Sequence, residues 1–202
     1  TRLGNGLAPL EPGETDTVII AGMGGDLICK ILKAKPEFLI EGKEFILQPQ
    51  SEWFKVRRLL KEYHYQIEKE WFLKEDGKYY VIIKAEPAWT QPQRLKHQQP
   101  SIHEYIKEIS ETPANQAVSE KDMESIYEQY GKYLIETKNP VLKEYLKKEI
   151  TKKESIAAEL KQSIKEMESE ELSGKERGNI AKRQRRYQEI QKEIRDMRKA
   201  IG

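Results

Sequence analysis

The sequence predicts half of a doubly wound α/β sheet followed by an antiparallel helical hairpin. Three observations predict it: the apolar run "TVIIA" enters the glycine-rich loop "GMGG" and then a helical pattern; "YQIEKEWFLKEDGKYYVIIKAE" alternates and turns back on itself at Asp76 and Gly77; and two stretches after Val141 carry apolar residues at spacings of three and four.

Taken in order, Thr17 to Ala21 forms the first strand, and Leu27, Ile28, Ile31 and Leu32 give one face to a helix from about Gly25 to Ala34. Phe38 to Ile40 leads into the second strand, Glu44 to Leu47, which Gln48, Pro49 and Gln50 end because proline cannot donate to a ladder. Ser51 is the expected N-cap of a helix in which Trp53, Phe54, Val56, Leu59, Leu60 and Tyr63 recur, ending about His64. Asp76 and Gly77 tolerate the positive φ of a tight hairpin, so Asp76, Gly77 and Lys78 are read as a turn. The last strand is therefore antiparallel to its neighbour, in an otherwise parallel arrangement.

After Glu86 the hydrophobic period disappears. "PAWTQPQRLKHQQP" reads as a linker or mobile loop, in which Trp89 is either a docking contact or an incidental exposed ring, and Ser101 to Gly131 as helical pieces interrupted at Thr112 and Pro113. From Val141, the residues Leu146, Ile150, Ala157, Leu160, Ile164 and Met167 form one seam, with Lys153 filling a position in it. Gly174 and Gly178 are expected to bracket a break, after which Ile180, Arg183, Tyr187, Ile190, Ile194, Met197 and Ile201 form the second seam. Neither helix buries its stripe alone, so a two-helix antiparallel coiled coil follows. The expected division is residues 1–87, a linker over 88–129, and a helical hairpin over 130–202.

Of the 202 residues 35% are charged, against the roughly 25% usual for globular chains, which fits a long solvated helix. The formal charge of +2 averages over unlike parts: Asn179 to Gly202 holds eight basic and three acidic residues, a net of +5. Its centre, "KRQRR", is Lys182, Arg183, Gln184, Arg185 and Arg186. This pattern suits phosphate contacts, although an isolated charge run is more often a solvated face. No apolar run reaches the roughly 18 residues of a membrane span, so a cytoplasmic protein is expected. Cys29 reads as a packing residue, and His64, His97 and His103 lack the spacing of a metal site, so no metal is expected.

In open α/β sheets ligands sit beyond the carboxyl ends of strands, where glycine lets backbone approach them. "AGMGG", Ala21 to Gly25, ends the first strand, and "LGNGL", Leu3 to Leu7, is expected in another loop on the same edge. Neither is a P-loop, since no Lys-Ser or Lys-Thr pair follows, and neither is a dinucleotide fingerprint.

The ordered set "RLGNGL", "DTVIIAGMGG", "FILQP" and "EDGKYYVIIKAEP", continued by "YGKYLIETKNPVLKEYL", resembles the bacterial tRNA (adenine-N1)-methyltransferase family known as TrmK, which modifies an adenine, position 22, in the D-arm region of tRNA. The resemblance implies the C-terminal part of a Rossmann-like class I methyltransferase sheet that binds S-adenosyl-L-methionine, followed by a helical hairpin that helps hold tRNA. It implies that Asn5, Gly6 and Leu7 lie at the cofactor adenine. Gly22, Met23, Gly24 and Gly25 then stand beside the transferred methyl, with Ala21 lining the same pocket, and Gln48 and Pro49 are candidates to touch the target base. Backbone carbonyls of Gly22 and Met23 are candidates to favour the cationic product; Asp26 is read as a helix cap, and Tyr79 and Tyr80 as weaker stacking candidates. Lys182, Arg183, Arg185 and Arg186 are the expected tRNA contacts, in a monomer.

Family members begin with an acidic glycine-rich loop resembling "DIGSDHAYLP", which this chain lacks, so the polypeptide by itself is expected to bind cofactor poorly. The rival reading is a non-enzymatic RNA-binding or coiled-coil adaptor that keeps half a Rossmann sheet. A nicotinamide-dependent oxidoreductase is weaker, because the glycine order is wrong.

Overall fold

The computed structural model describes residues 1–88, 114–168 and 174–202, in two compact units, Thr1–Thr137 and Lys138–Gly202. Trp89, His97, His103 and most of the expected linker lie outside the described residues, as does the interruption at Thr112 and Pro113.

The first unit runs β1 (Thr17–Met23), α1 (Gly25–Ala34), α2 (Pro36–Ile40), β2 (Glu44–Pro49), α3 (Trp53–Glu62), β3 (Tyr65–Glu75), β4 (Lys78–Pro87), α4 (Ala114–Tyr130) and α5 (Lys132–Glu136). The sheet order is β1-β2-β4-β3. The α1–α2 crossover makes β2 parallel to β1, while β4 is antiparallel to both β2 and β3. Asp76 at φ 47° and Gly77 at φ 76° supply the left-handed pair that the two-residue hairpin requires.

Alternate residues of the strands build the core. Val18, Ile20, Phe45, Leu47, Phe72, Val81 and Ile83 are buried, as are Ile28 and Leu32 of α1 and Val56, Leu59 and Leu60 of α3, helices that pack on the sheet. Burying side chains of this size stabilises by about 1.5–3 kcal/mol each before the entropy of ordering is subtracted. Tyr79 stacks on Phe72, with ring centroids 5.7 Å apart, so its ring packs within the chain instead of offering itself to a base.

The structure departs from three local expectations. Among the described residues β1 lies at the edge of the sheet, and Ile19 is 67% exposed, although the apolar run suits a buried strand. Pro36 opens a short helix over Phe38 to Ile40, since proline presets the first helical φ. Glu52, in the left-handed conformation, stands at the N-cap of α3 in place of Ser51, whose carbonyl accepts a bond from Gly25 N–H.

A buried ion pair ties α3 to β3. Arg57 Nε donates to Glu70 Oε1 at 2.7 Å, and Arg57 also donates to the carbonyls of Glu128 and Gln129, both at 3.0 Å, at the end of α4. A guanidinium there satisfies orphan carbonyls and complements the helix dipole. Gly131 follows at φ 91°, and a Cβ on it would stand 2.4 Å from Glu70 Oε2. Tyr130 to Thr137 thus belongs to the sheet unit, and the second unit begins at Lys138, not at Tyr130 as the sequence suggests.

The second unit holds α6 (Pro140–Glu168) and α7 (Gly174–Ile201). Asn139 Oδ1 accepts from the N–H groups of Val141 and Leu142, both at 3.0 Å, and Pro140 follows this cap. Asn139→Ala is expected to cost about 1 kcal/mol, read as a lowered midpoint in chemical denaturation. The helices are antiparallel: Ser163 meets Arg183, Glu154 meets Arg198 at 2.6 Å, and Lys153 meets Glu193. Leu142, Leu146, Ile150, Ala157 and Ile164 are buried on one side, and Ile180, Ile190, Ile194, Met197 and Ala200 on the other. One expected break and one seam assignment change. Gly178 is helical, so no break occurs there, and Arg183 is exposed because its long side chain reaches out to Ser163.

Candidate active site at the glycine-rich strand tip

The tip of β1 is bent by a single residue. The β1–β2 register pairs Ala21 with Gln48 and Met23 with Pro49, leaving Gly22 as a bulge at φ 78°, a conformation open to glycine at no steric penalty. Its displaced N–H donates to the Gln48 side-chain Oε1 at 2.8 Å. Beyond the bulge the two strand tips join, Gln50 N–H donating to Met23 O at 2.8 Å and Gly25 N–H to Ser51 O at 2.9 Å.

The glycines therefore serve different ends. A Cβ on Gly22 would meet nothing within 4 Å among the described residues, so the tip is open there. On Gly24 it would lie 3.1 Å from Ser51 Oγ, and on Gly25 2.6 Å from Glu52 O and 2.7 Å from Ser51 O. Gly25 exists for chain-to-chain approach, and only Gly22 of the three faces space. Met23 is 37% exposed and Pro49 is buried.

The structure does not bring "LGNGL" to this tip. Gly6 lies against Ile31, where a Cβ would stand 2.8 Å from Cγ2, and Leu7 is buried. Ile31 lies six residues past Gly25, about 9 Å along the helix axis. Asn5 is exposed.

Asp26 does not cap α1. Gly24 is the N-cap without a side-chain bond, the Asp26 N–H is taken by Glu52 Oε2 at 3.3 Å, and its carboxylate pairs with Lys30 at 2.8 Å and Lys55 at 2.9 Å. With two N–H groups of the first turn already bonded to the loop after β2, this helix start is not laid out as a phosphate cradle. The lysines, Lys30 first, hold the Asp26 carboxyl at about 2. A carboxylate titration followed by NMR is expected to show Asp26 with a midpoint near that value, so its stabilising effect is present through neutral pH and fades only as pH falls toward 2. Burial pushes the half-buried Cys29 thiol up, which fits a packing residue and not a nucleophile.

On α7, Lys182, Arg183, Arg185 and Arg186 are all exposed. Arg183 is held by Ser163, and Arg186 pairs with Glu189 at 3.1 Å and Glu193 at 3.4 Å. Lys182 and Arg185 carry no ion pair among the described residues. Among those residues no cluster of metal-ligand type occurs, and no helix is long and apolar enough to cross a membrane.

Sequence reasoning missed Ser51 and Glu52, which receive the start of α1, and the grip of Gln48 on Gly22. A glycine inside a strand pattern signals a bulge, and that was the available clue.

The family model for TrmK, tRNA (adenine(22)-N(1))-methyltransferase, matches residues 1–128. The chain belongs to the TrmK family. A tRNA (adenine(22)-N(1))-methyltransferase of Bacillus subtilis is 41% identical over 85 residues, covering 42% of this chain and 36% of that protein. A putative tRNA methyltransferase of Mycoplasma pneumoniae is 36% identical over 81 residues, covering 40% and 37%. The chain thus spans little more than a third of the length of these curated relatives. Among solved structures, Bacillus subtilis TrmK superposes with a TM-score of 0.64 at 23% identity, over all of this chain and 69% of that one. M. capricolum TrmK with S-adenosyl-homocysteine gives 0.58 at 20% identity, over all of this chain and 67% of that one. These likenesses establish the α/β fold.

Proposed function

We propose that this chain serves S-adenosyl-L-methionine-dependent methylation of N1 of adenine 22 in tRNA. The observation that carries the reading is the Gly22 bulge, an open strand tip in a TrmK-family sheet, held in place by Gln48 and flanked by Met23.

The open flank of Gly22 fits the transfer end of a cofactor site, with Ala21, Gly22 and Met23 as the residues that would line it. When bound, S-adenosyl-L-methionine supplies a methyl on a cationic sulfur; the N1 lone pair forms the new carbon–nitrogen bond, the sulfur keeps the old bonding pair, and the positive charge ends on the adenine. Because N1 already holds a lone pair, the chain's task is positioning, and no activated nucleophile is needed. The Met23 carbonyl accepts from Gln50 N–H, and the backbone carbonyls of Gly22 and Met23 are the proposed groups that favour the developing charge. Gly24 and Gly25 act indirectly, by letting the loop after β2 close on the tip. Asn5, Gly6 and Leu7 remain the proposed adenine-side residues.

The helical hairpin is the proposed tRNA-binding unit, of a cytoplasmic monomer without metal. Lys182 and Arg185 are its primary phosphate contacts, because Arg183 and Arg186 already have partners on the protein. Lys182→Ala with Arg185→Ala is expected to weaken tRNA binding and to flatten the plot of log affinity against log salt by about 1–2, without changing cofactor binding. The function itself is tested by incubating the full-length protein with unmodified tRNA and labelled cofactor. Label in adenine supports it, and tRNA binding without transfer points to the adaptor.

A further inference from the structure

The Gln48 carboxamide is held by one end only. Its Oε1 takes the Gly22 N–H at 2.8 Å, which fixes the orientation of the group, since a backbone N–H needs an oxygen opposite it. Its Nε2 is shielded from solvent and has no hydrogen-bond partner. A buried amide donor without an acceptor is destabilising and rare, so a group that supplies an acceptor there is favoured. Phe45, Leu47 and Pro49 of β2 are buried, so by alternation Gln48 projects from the opposite face of the strand, free of that packing. Beside it lies the open flank of Gly22.

We propose, resting on the function above, that Gln48 recognises the target adenine by its N6/N7 edge, Nε2 donating to N7 while the second lone pair of Oε1 accepts from the N6 amine. A glutamine amide matches that donor and acceptor pair in adenine, whereas guanine sets O6 against Oε1 and is repelled. The arrangement leaves N1 free on the other side of the amine. As N1 gains the methyl, positive charge spreads to N6 and strengthens its bond to Oε1, so the contact favours the transition state more than the bound substrate. Because Nε2 is shielded, pairing needs a small opening at the tip, and the bonds then form away from water.

The test compares two tRNA transcripts in the full-length protein, one with adenosine and one with 7-deazaadenosine at the target position, the latter lacking only the N7 acceptor. Wild type is expected to lose about tenfold or more in kcat/KM on the 7-deaza transcript. Gln48→Glu keeps an oxygen for the Gly22 N–H but no donor, so its loss on ordinary tRNA is expected to be comparable, with no further loss on the 7-deaza transcript. Equal kcat/KM of wild type on both transcripts overturns the assignment, as does a Gln48→Glu variant that still distinguishes them. Wild type that methylates neither overturns the function itself, and the assignment with it.

Discussion

Gly25→Ala is expected to lower methyl transfer by the full-length protein at least about a hundredfold, the scale of effect that a displacement of about 1 Å has on a positioned reaction. The added carbon would stand 2.6 Å from Glu52 O and 2.7 Å from Ser51 O, both backbone atoms that no side-chain rotation can move. Relief requires the tips of β1 and β2 to separate, breaking the 2.9 Å bond from Gly25 N–H to Ser51 O. Overpacking of this kind costs about 1–3 kcal/mol, so the fold survives while the tip geometry does not. Gly22→Ala is the contrast: with nothing within 4 Å, it meets only the penalty of a left-handed backbone, about 1–2 kcal/mol. Circular dichroism and kcat/KM on the two variants separate lost folding from lost positioning.

Arg57→Ala is expected to destabilise the sheet unit by about 3–5 kcal/mol, read from urea denaturation. It strands the Glu70 carboxylate in a dry setting and removes the donor to the carbonyls of Glu128 and Gln129. Burial already pushes the Glu70 carboxyl up, against the opposing pull of Arg57. The sign follows from that direction: a carboxyl raised in the folded state favours folding when protonated and loses that contribution as pH rises through its folded value. The deficit of Arg57→Ala is therefore expected to shrink in acid, where Glu70 takes up a proton, and to be full at neutral pH.

The readable parts of this chain were those set by local chemistry. Alternation around Asp76 and Gly77 specified the hairpin, and apolar spacing of three and four specified both long helices. What escaped was set by contacts distant in sequence. Nothing near Arg57 signals that its partners are Glu70, thirteen residues on, and the end of a helix about seventy residues away. The constraint on Gly131, the space against Glu70, is likewise invisible along the chain. At the candidate site the residue types were evident, but not their division of labour: Gly22, Gly24 and Gly25 look alike in sequence, and only packing shows that one faces space while another accommodates the β2 loop.

The most direct measurement is the position of the methyl group itself. Reverse transcription across unmodified tRNA treated with the full-length protein and S-adenosyl-L-methionine halts beside a base whose pairing edge carries a methyl. The account predicts a single new stop next to adenine 22, lost in Gly25→Ala. Read-through identical to untreated tRNA, or a stop beside a different base, contradicts it.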